Sequence, residues 1–271
     1  MQKLIFTVSI LFSSSFFSFA QNKTSIHLLL GNPGSAKTEI NSENNFLIIK
    51  EQYALSYNKS KNIPNWVSWH VDINDLGKAK RKNSFRPNTK LPLGWYRVRP
   101  NDYTGSGFDK GHLCPSADRT NNEKNNSATF LMTNIIPQAP HKNRGVWKEF
   151  EEYCRRVVKR GNELYIIAGG YGRGGTGSKG FLKKIRNNIV VPKQTWKIII
   201  ILAYGEDDLK RIDGNTRIIA IDIPNSENVD GKSWREYKIT LAELEERTGY
   251  NFYDNISPDA KRVLLTRMDK R

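Results

Sequence analysis

The stretch FDKGHLCPSADRT, residues 108–120, places one of the four histidines of a 271-residue chain among charged side chains. Asp109 and Lys110 precede His112, and Asp118 and Arg119 follow it. A segment of this polarity is not expected in a hydrophobic core. The stretch therefore needs an explanation other than packing, and the segment that follows it supplies one.

A helix is predicted downstream, within TFLMTNIIPQAPHKNRGVWKEFEEYCRR, residues 129–156. From Asn143 to about Arg160, apolar residues recur at spacings of three and four and form one stripe. The members of this stripe are Trp147, Phe150, Cys154, Val157 and Val158. The pattern predicts a helix that packs this stripe against the body of the protein.

Steps of four residues connect Asn143, Trp147, Glu151 and Arg155, so the last two lie together on one flank of the stripe. Taken singly, Glu151 and Arg155 form an ordinary ion pair and Asn143 is a helix cap. Taken with His112, these residues suit the hydrolysis of a phosphodiester. Histidine is a base near neutral pH, an amide or carboxylate oxygen holds Mg²⁺, and arginine binds phosphate oxygens.

Three spaced motifs then make the sequence similar to a known family. They are D-K-G-H-x-x-P-S-A-D-R-T, T-N-x-x-P-Q and N-x-x-x-W-x-x-x-E-x-x-x-R. The sequence resembles the sugar-non-specific DNA/RNA endonucleases of the ββα-metal superfamily, relatives of mitochondrial endonuclease G. The likeness includes NWVSWHVD, AKRKNSFRPN, LPLGWYRV and ELYIIAGG and covers most of residues 26–255. It implies a metal-dependent endonuclease that hydrolyses phosphodiester bonds of DNA and RNA.

The resemblance implies a role for most polar residues of these motifs. His112 would be the general base that activates water. Asn143 would be the only direct protein ligand of a single Mg²⁺ ion, or of Mn²⁺ in its place. Glu151 would orient a metal-bound water, and Arg155 would bind phosphate near the leaving group. Asn134 would brace the strand opposite the histidine.

Three basic or acidic residues complete the set that the resemblance implies. Asp109 matches the acid that begins the family motif and helps to hold its geometry. Arg81, in the segment KRKNSFRP, resembles the family's second phosphate-stabilising arginine, with Arg86 as the alternative. Lys110 stands where the family usually has arginine. Lysine keeps the charge but loses the bidentate geometry, so we expect a weaker contact there and intact chemistry.

Strand patterns dominate the rest of the chain. WVSWHVDI alternates apolar and polar residues, which predicts a half-buried strand with His70 partly exposed on its other face. ELYIIAGG, WKIIIILAY and RIIAIDIP are further strands, the second buried on both faces, and LPLGWYRVRP is a short strand. Thr240 to Glu243 is a capping box before a helix that Gly249 ends, and Ser257-Pro258 starts a last helix. The prediction is α+β, a single domain with a largely antiparallel central sheet, flanking helices and a ββα-metal catalytic motif.

The glycine-rich segment AGGYGRGGTGSKG follows a predicted strand and formally matches a dinucleotide-binding fingerprint. The fingerprint needs a helix that starts in the loop and an acidic residue about 20 positions later. A basic segment without such an acid follows instead, FLKKIRNNIVVPKQ. We interpret the glycine-rich segment as a flexible basic surface loop.

The charge balance favours polyanionic partners. Lysine and arginine number 43 against 27 acidic residues, which gives a net charge of +16. DNA and RNA are the expected substrates, and an inhibitor protein and a homodimer stay open. A non-catalytic exported polyanion-binding protein would explain the charge but not the ordered polar set. A zinc-dependent hydrolase would use His112, Cys114 and His141, although zinc ligands usually have tighter, repeated spacing.

The N-terminus predicts export. Residues 1–20 combine a short basic start, an apolar stretch broken by serines and small residues at the cleavage position, which is typical of a signal peptide. Its removal takes away Lys3 and leaves a charge of 16 − 1 = +15. Residues 21–45 are predicted to form an extended lead-in, and residues 46–271 the endonuclease domain. The mature protein is expected without a membrane anchor, in the periplasm or secreted, where Cys114 and Cys154 either pair or stay as separate thiols.

Overall fold

A seven-stranded antiparallel sheet forms the centre of the protein, in the strand order β1-β2-β3-β6-β9-β10-β11. The computed structural model describes residues 25–270. The strands are β1 (Phe46–Ile49), β2 (Ala54–Asn58), β3 (Ile63–Val71), β4 (Asp109–His112), β5 (Ile135–Gln138), β6 (Asn162–Tyr171), β7 (Gly175–Gly177), β8 (Gly180–Leu182), β9 (Gln194–Ala203), β10 (Arg217–Pro224) and β11 (Lys238–Ile239). The helices are α1 (Glu123–Ala128), α2 (Pro140–Arg144), α3 (Val146–Val158), α4 (Asp208–Arg211), α5 (Leu241–Thr248) and α6 (Pro258–Thr266). The predicted α+β class with a largely antiparallel sheet in one domain is confirmed.

The central sheet separates two hydrophobic cores. One core contains Trp69 of β3 and the apolar stripe of α3, including Trp147 and Phe150. The other contains Trp66 of β3 together with residues of α5 and α6, including Leu244. Because both faces are covered, Ile198, Ile199 and Ile200 of β9 are fully buried, which confirms a strand buried on both faces, and Ile201 is partly buried.

Full burial of β3 contradicts one prediction. All nine residues of β3 are buried, and His70 is only 9% exposed, so the strand is not half-buried. The reason lies in the N-terminal segment. His27 contacts the backbone of His70 and Pro33 accepts a hydrogen bond from the Trp66 indole, which covers the face expected to be open.

A hairpin and two helices form a ββα unit on one face of the sheet. β4 pairs antiparallel with β5, so that Asp109 lies opposite Gln138 and His112 opposite Ile135. A Cβ atom at Gly111 would lie 2.3 Å from Cδ of Gln138, so glycine is required for this close approach. The polar stretch of the sequence is therefore the first strand of this unit.

The helix predicted from Asn143 to about Arg160 is interrupted. Asn143 lies in α2, and α3 begins only at Val146. Gly145, at φ −99° and ψ −110°, separates the two helices and is the N-cap of α3. Asn143 is therefore not a cap of α3, and its side chain is free for another contact.

Local signals elsewhere succeeded where they were specific. Helix α5 begins at the capping box of Thr240 and Glu243 and ends at Gly249, which has a left-handed conformation. Ser257 caps the start of α6. The predicted strand LPLGWYRVRP is wrong, because residues 91–100 form a loop that buries Leu91, Trp95 and Val98 without strand pairing. β1 and β2 were not predicted.

The glycine-rich segment is not a flexible loop. Its residues form the end of β6 and the two-stranded hairpin β7–β8, and no helix starts within it. The nucleotide-binding fingerprint therefore lacks the helix that it needs directly after the glycines.

Three further predictions concern the signal peptide, membrane-spanning helices and the two cysteines. The signal-peptide prediction, residues 1–20, lies outside the described residues. In residues 25–270, no helix has the length and apolar character needed to cross a membrane. Cys114 and Cys154 are separate buried thiols.

Candidate active site

The ββα unit borders a cleft of about 460 Å³ beside the central sheet. The residues that line the cleft are Arg81, Lys110, His112, Pro115, Ser116, Ala117, Asn143, Arg144, Lys148, Glu151 and Arg155. Five of the site residues expected from the sequence thus come together, and Asp109 lines the groove next to it. Folding of distant segments around one hairpin produces this convergence.

His112 is the last residue of β4 and is only 7% exposed. Its ring packs against Phe130, with ring centroids 4.9 Å apart, and against Phe85, at 5.3 Å. Burial, together with the nearby charge of Arg81, lowers the pKa of His112 to about 3. Its Nε2 atom has no hydrogen-bond partner among residues 25–270. The imidazole is thus neutral at ordinary pH, with one nitrogen unused.

Asn143 is held by Asp109. The Asn143 amide nitrogen donates to Asp109 Oδ2 at 2.9 Å, and the Arg144 guanidinium makes two bonds to the same carboxylate, at 2.8 and 2.6 Å. Both oxygens of Asp109 are therefore occupied. Because its amide nitrogen is fixed in this way, the Asn143 side chain keeps its Oδ1 atom as an available oxygen ligand.

Glu151 lies on α3 and forms an ion pair with a buried lysine of β9. Lys197 Nζ lies 3.3 Å from Glu151 Oε1, and the lysine side chain is 1% exposed. Lys197 Nζ also lies 4.2 Å from the ring centroid of Trp147. A second lysine, Lys142, lies over the same ring, with its Nζ atom 3.6 Å from the centroid. Burial raises the pKa of Glu151, and the charges of Lys197 and then Arg155 oppose that rise.

Arg155 does not form the ion pair with Glu151 that their spacing of four residues allows. Its Nη1 atom bonds Asp118 Oδ1 at 2.9 Å, and Asp118 also accepts a hydrogen bond from the indole of Trp69. One turn of helix separates Arg155 from Glu151, but each residue has its own buried partner. The partners keep both side chains in place at the cleft wall.

The two candidate arginines upstream have different surroundings. Arg81 lines the cleft, bonds Ser116 Oγ at 3.1 Å and lies over the ring of Phe130. Arg86 donates instead to the backbone carbonyls of Ser84 and Ser127. Arg81 is thus the one whose charge reaches the cleft.

Asn134 is fully buried behind the hairpin. Its side chain accepts from the Cys114 amide at 3.0 Å and donates to the carbonyls of Cys114 and Thr129, each at 2.8 Å. These bonds tie the segment after His112 to the segment before β5. Asn134 does not line the cleft, and its contacts are structural.

The donor atoms of the cleft suit a hard divalent cation. Asn143 offers an amide oxygen, and Glu151 has a carboxylate oxygen besides the one that Lys197 contacts. Mg²⁺ is typically bound by one or two protein oxygen atoms, and water and substrate phosphate complete its coordination shell. A zinc set of His112, Cys114 and His141 does not form within residues 25–270, because the ligand atoms of these side chains do not come together and His141 is exposed beside Glu227.

A second group of ligand-type side chains lies on the other face of the sheet. His70, Glu163 and Asp208 bring their ligand atoms within 4.8 Å of one another, the one such group in the described residues. His70 points away from the core that its neighbour Trp69 joins beneath the cleft. Arg211 Nη2 already lies 2.5 Å from both Glu163 and Asp208. The group is a closed ionic cluster and is separate from the cleft.

Sequence reasoning missed the residues that hold the site together. Lys197, Asp118 and Arg144 each bond a predicted site residue. One signal was present: Lys197 is a single charge in the apolar strand WKIIIILAY, and a buried charge needs a partner.

Comparison with known families agrees with this geometry. The profile of the DNA/RNA non-specific endonuclease family matches residues 32–259. The chain belongs to the DNA/RNA non-specific endonuclease family. As a member of that family, it is a hydrolytic endonuclease of a metal-dependent class.

Individual relatives support the assignment to the endonuclease family. A nuclease of Nostoc sp. (strain PCC 7120 / SAG 25.82 / UTEX 2576) is 46% identical over 90% of this chain and 86% of its own length. The human mitochondrial nuclease EXOG is 28% identical over 75% of this chain, and the chain spans 56% of that relative. The relatives thus include a mitochondrial protein, and that relative is longer than the region that this chain matches.

A solved structure supports the same fold. The chain resembles a protein in a structure titled "Crystal structure of the EndoG/EndoGI complex: Mechanism of EndoG inhibition", with a TM-score of 0.69 and 22% identity. The likeness covers 85% of this chain and 91% of the other. The endonuclease fold therefore accounts for most of the described structure.

Proposed function

We propose that the protein is an exported, sugar-non-specific endonuclease that hydrolyses DNA and RNA with His112 as general base and one Mg²⁺ ion at Asn143. The observation that supports this most strongly is the convergence of His112 with Asn143, Glu151 and two arginines on one cleft. The imidazole that borders this cleft is neutral, which is the form that a general base needs.

His112 takes the proton of the attacking water in this proposal. Its lowered pKa keeps the imidazole neutral and able to accept a proton at neutral pH. The rings of Phe130 and Phe85 hold the imidazole in one orientation, so that little reorganisation is needed before reaction. Positioning thus compensates for the weak basicity that a low pKa implies.

Asn143 Oδ1 would be the protein ligand of the metal ion. A divalent cation there supplies charge neutralisation for the phosphate and for the negative charge that develops in the transition state. Asp109 fixes the amide nitrogen, which would leave the oxygen free to hold the ion, and Arg144 neutralises Asp109. Mn²⁺ has similar oxygen preferences and is proposed as a substitute.

The remaining polar residues act on water and phosphate. Glu151, held by Lys197, would use its second carboxylate oxygen to orient a water beside the metal ion. Arg155 and Arg81 bind phosphate oxygens, Arg155 near the leaving group. Asn134 keeps the segment beyond His112 in register and takes no part in the chemistry.

Selectivity for sugar or base is not expected of such a site. The charged residues of the cleft suit phosphate oxygens, which DNA and RNA share. We therefore propose cleavage of single- and double-stranded DNA and of RNA, leaving 5′-phosphates.

Export is proposed on the pattern of residues 1–20 alone. The mature chain would begin near residue 21 and act in the periplasm or outside the cell. N-terminal sequencing of the mature protein checks this: an intact Met1 on the protein recovered from the cells would contradict it.

A cleavage assay tests the proposed activity. Plasmid DNA and a structured RNA are each incubated with the protein in Mg²⁺, and in EDTA. We expect both substrates to be degraded with Mg²⁺ and neither with EDTA. Binding without cleavage would instead indicate a polyanion-binding protein, and refusal of RNA under conditions that degrade DNA would exclude sugar non-specificity.

A further inference from the structure

The β7–β8 hairpin is a basic element beside the active-site hairpin. Residues 171–193 contain six lysines and arginines and no acidic residue. β7 is largely covered by the body of the protein, whereas all three residues of β8 are exposed. The proposed mechanism gives this hairpin no role.

The hairpin is fixed to the segment that leads into β4. Ser178 N donates to the Gly107 carbonyl at 3.0 Å, and a Cβ atom at Gly107 would lie 2.9 Å from Lys179. Gly107 precedes Asp109 by two residues. The hairpin is therefore held at a fixed place beside the catalytic unit.

The segment after β8 is also anchored. The Asn187 side chain donates to Asp102 at 2.7 Å and to the Tyr96 hydroxyl at 2.7 Å. These bonds hold the neighbouring Arg186, while Lys184 contacts Asn188. Two exposed cations thus stand on a defined part of the surface.

Two neighbouring grooves lie between the cleft and these cations, and each shares lining residues with the next. A groove of about 370 Å³ shares Arg81, Lys110 and Asn143 with the cleft and extends to Thr104. From Thr104 a further groove of about 300 Å³ continues along the hairpin. Its lining residues are Thr104, Gly105, Ser106, Leu182, Lys184, Ile185 and Arg186.

We propose that the groove between Thr104–Ser106 and Lys184/Arg186 is a second phosphate-binding subsite, which holds the backbone of the substrate strand away from the scissile bond. The occupant is the nucleic acid itself, because the groove shares Thr104 with the one that borders the cleft and presents only cations among its charged residues. A strand that enters the cleft past Lys110 passes Thr104 and reaches Lys184. This inference rests on the proposed function and specifies the length of substrate that the enzyme uses.

Substrate length provides the test. The double variant Lys184→Met/Arg186→Met is compared with wild type for kcat/KM on a trinucleotide and on a long single-stranded oligonucleotide, in Mg²⁺. We expect a loss of roughly tenfold on the long substrate and no change on the trinucleotide. The slope of log affinity against log salt for the long strand, measured in EDTA, should become shallower by about 0.7 per lost phosphate contact.

A second variant and a control separate this subsite from general charge effects. Thr104→Glu places a negative charge where the two grooves meet and should weaken the long substrate selectively. Lys210→Met removes an exposed cation on the opposite face of the sheet and should leave both substrates unaffected.

The two proposals fail differently. If wild type cleaves both substrates and the double variant retains wild-type kcat/KM and salt slope on the long strand, the subsite is wrong and the proposed function stands. Equal losses on long and short substrates would also overturn the subsite. If folded wild type cleaves neither substrate, the proposed function itself is wrong.

Discussion

At the residue scale, burial shifts the pKa values of two side chains in the cleft in opposite directions. It lowers the pKa of His112 to about 3 and raises the pKa of Glu151. Both shifts favour the neutral form, which suits a base but not a carboxylate that must orient water. Lys197 counteracts the shift at Glu151, so we assign it the task of keeping that group ionised.

The acidic limb of the pH–rate profile should therefore belong to Glu151. His112 stays neutral down to about pH 3, whereas Glu151 loses its charge as the pH falls through its raised pKa. Lys197→Met keeps an apolar contact with Trp147 but removes the opposing charge. The pKa of Glu151 then rises further, and the loss of kcat/KM on acidification should begin at higher pH than in wild type.

The measurement is kcat/KM against pH for the Lys197→Met variant. Lys210→Met, which replaces an exposed lysine on the opposite face of the sheet, is the control. Lys210→Met should follow the wild-type profile. A folded Lys197→Met protein with an unshifted acidic limb would show that Lys197 serves packing alone.

At the scale of elements, the hairpin β4–β5 and the break between α2 and α3 determine the site. Gly111 allows Gln138 to approach, and Gly145 separates α2 from α3. At Gly145 an added Cβ atom would lie 2.7 Å from the carbonyl oxygen of His141. The spacing of Asn143, Glu151 and Arg155 in the sequence therefore does not describe one straight helix.

Gly111→Ala tests the packing of the hairpin. The added methyl would collide with the buried Gln138, so we expect the free energy of unfolding to fall by about 1–3 kcal/mol, with an unchanged denaturant slope. Gly205→Ala is the matched control, because the nearest atom to its Cβ lies 3.5 Å away. Equal stability of the two variants in urea unfolding would contradict the close-packed register.

Elements with local signals could be predicted from the sequence, and those that depend on tertiary contacts could not. The capping box at Thr240 is a short-range signal, and it located α5 correctly. The full burial of β3 depends on the N-terminal segment that covers it, which an alternating pattern cannot reveal. Likewise, the motif spacing identified His112 and Asn143, whereas the contact of Lys197 with Glu151 depends on the packing of β9 against α3.

At the scale of the whole molecule, charge is distributed unequally between the two faces of the sheet. Five cations line the catalytic cleft, accompanied by the single acid Glu151. On the opposite face a cavity of about 600 Å³ is lined by five acids, Asp72, Glu163, Glu206, Asp207 and Asp208. Nucleic acid should therefore be attracted to the catalytic face and repelled from the other.

Salt should weaken substrate binding in a predictable way. If binding rests on phosphate contacts, log affinity for duplex DNA falls linearly with log salt, with a slope of about −0.9 per phosphate contacted. Fluorescence anisotropy in EDTA, from low to moderate salt, measures this slope. Affinity that stays constant over this range would show that the basic surface is merely solvated.

A Mg²⁺ titration of two variants distinguishes the proposed roles of His112 and Asn143. His112→Ala should reduce cleavage by about 10²–10⁴-fold without changing the Mg²⁺ concentration for half-maximal activity. Asn143→Ala should also lose activity but regain part of it at raised Mg²⁺, because water and phosphate supply the other ligands. A folded His112→Ala protein that cleaves plasmid DNA at nearly the wild-type rate would contradict the account.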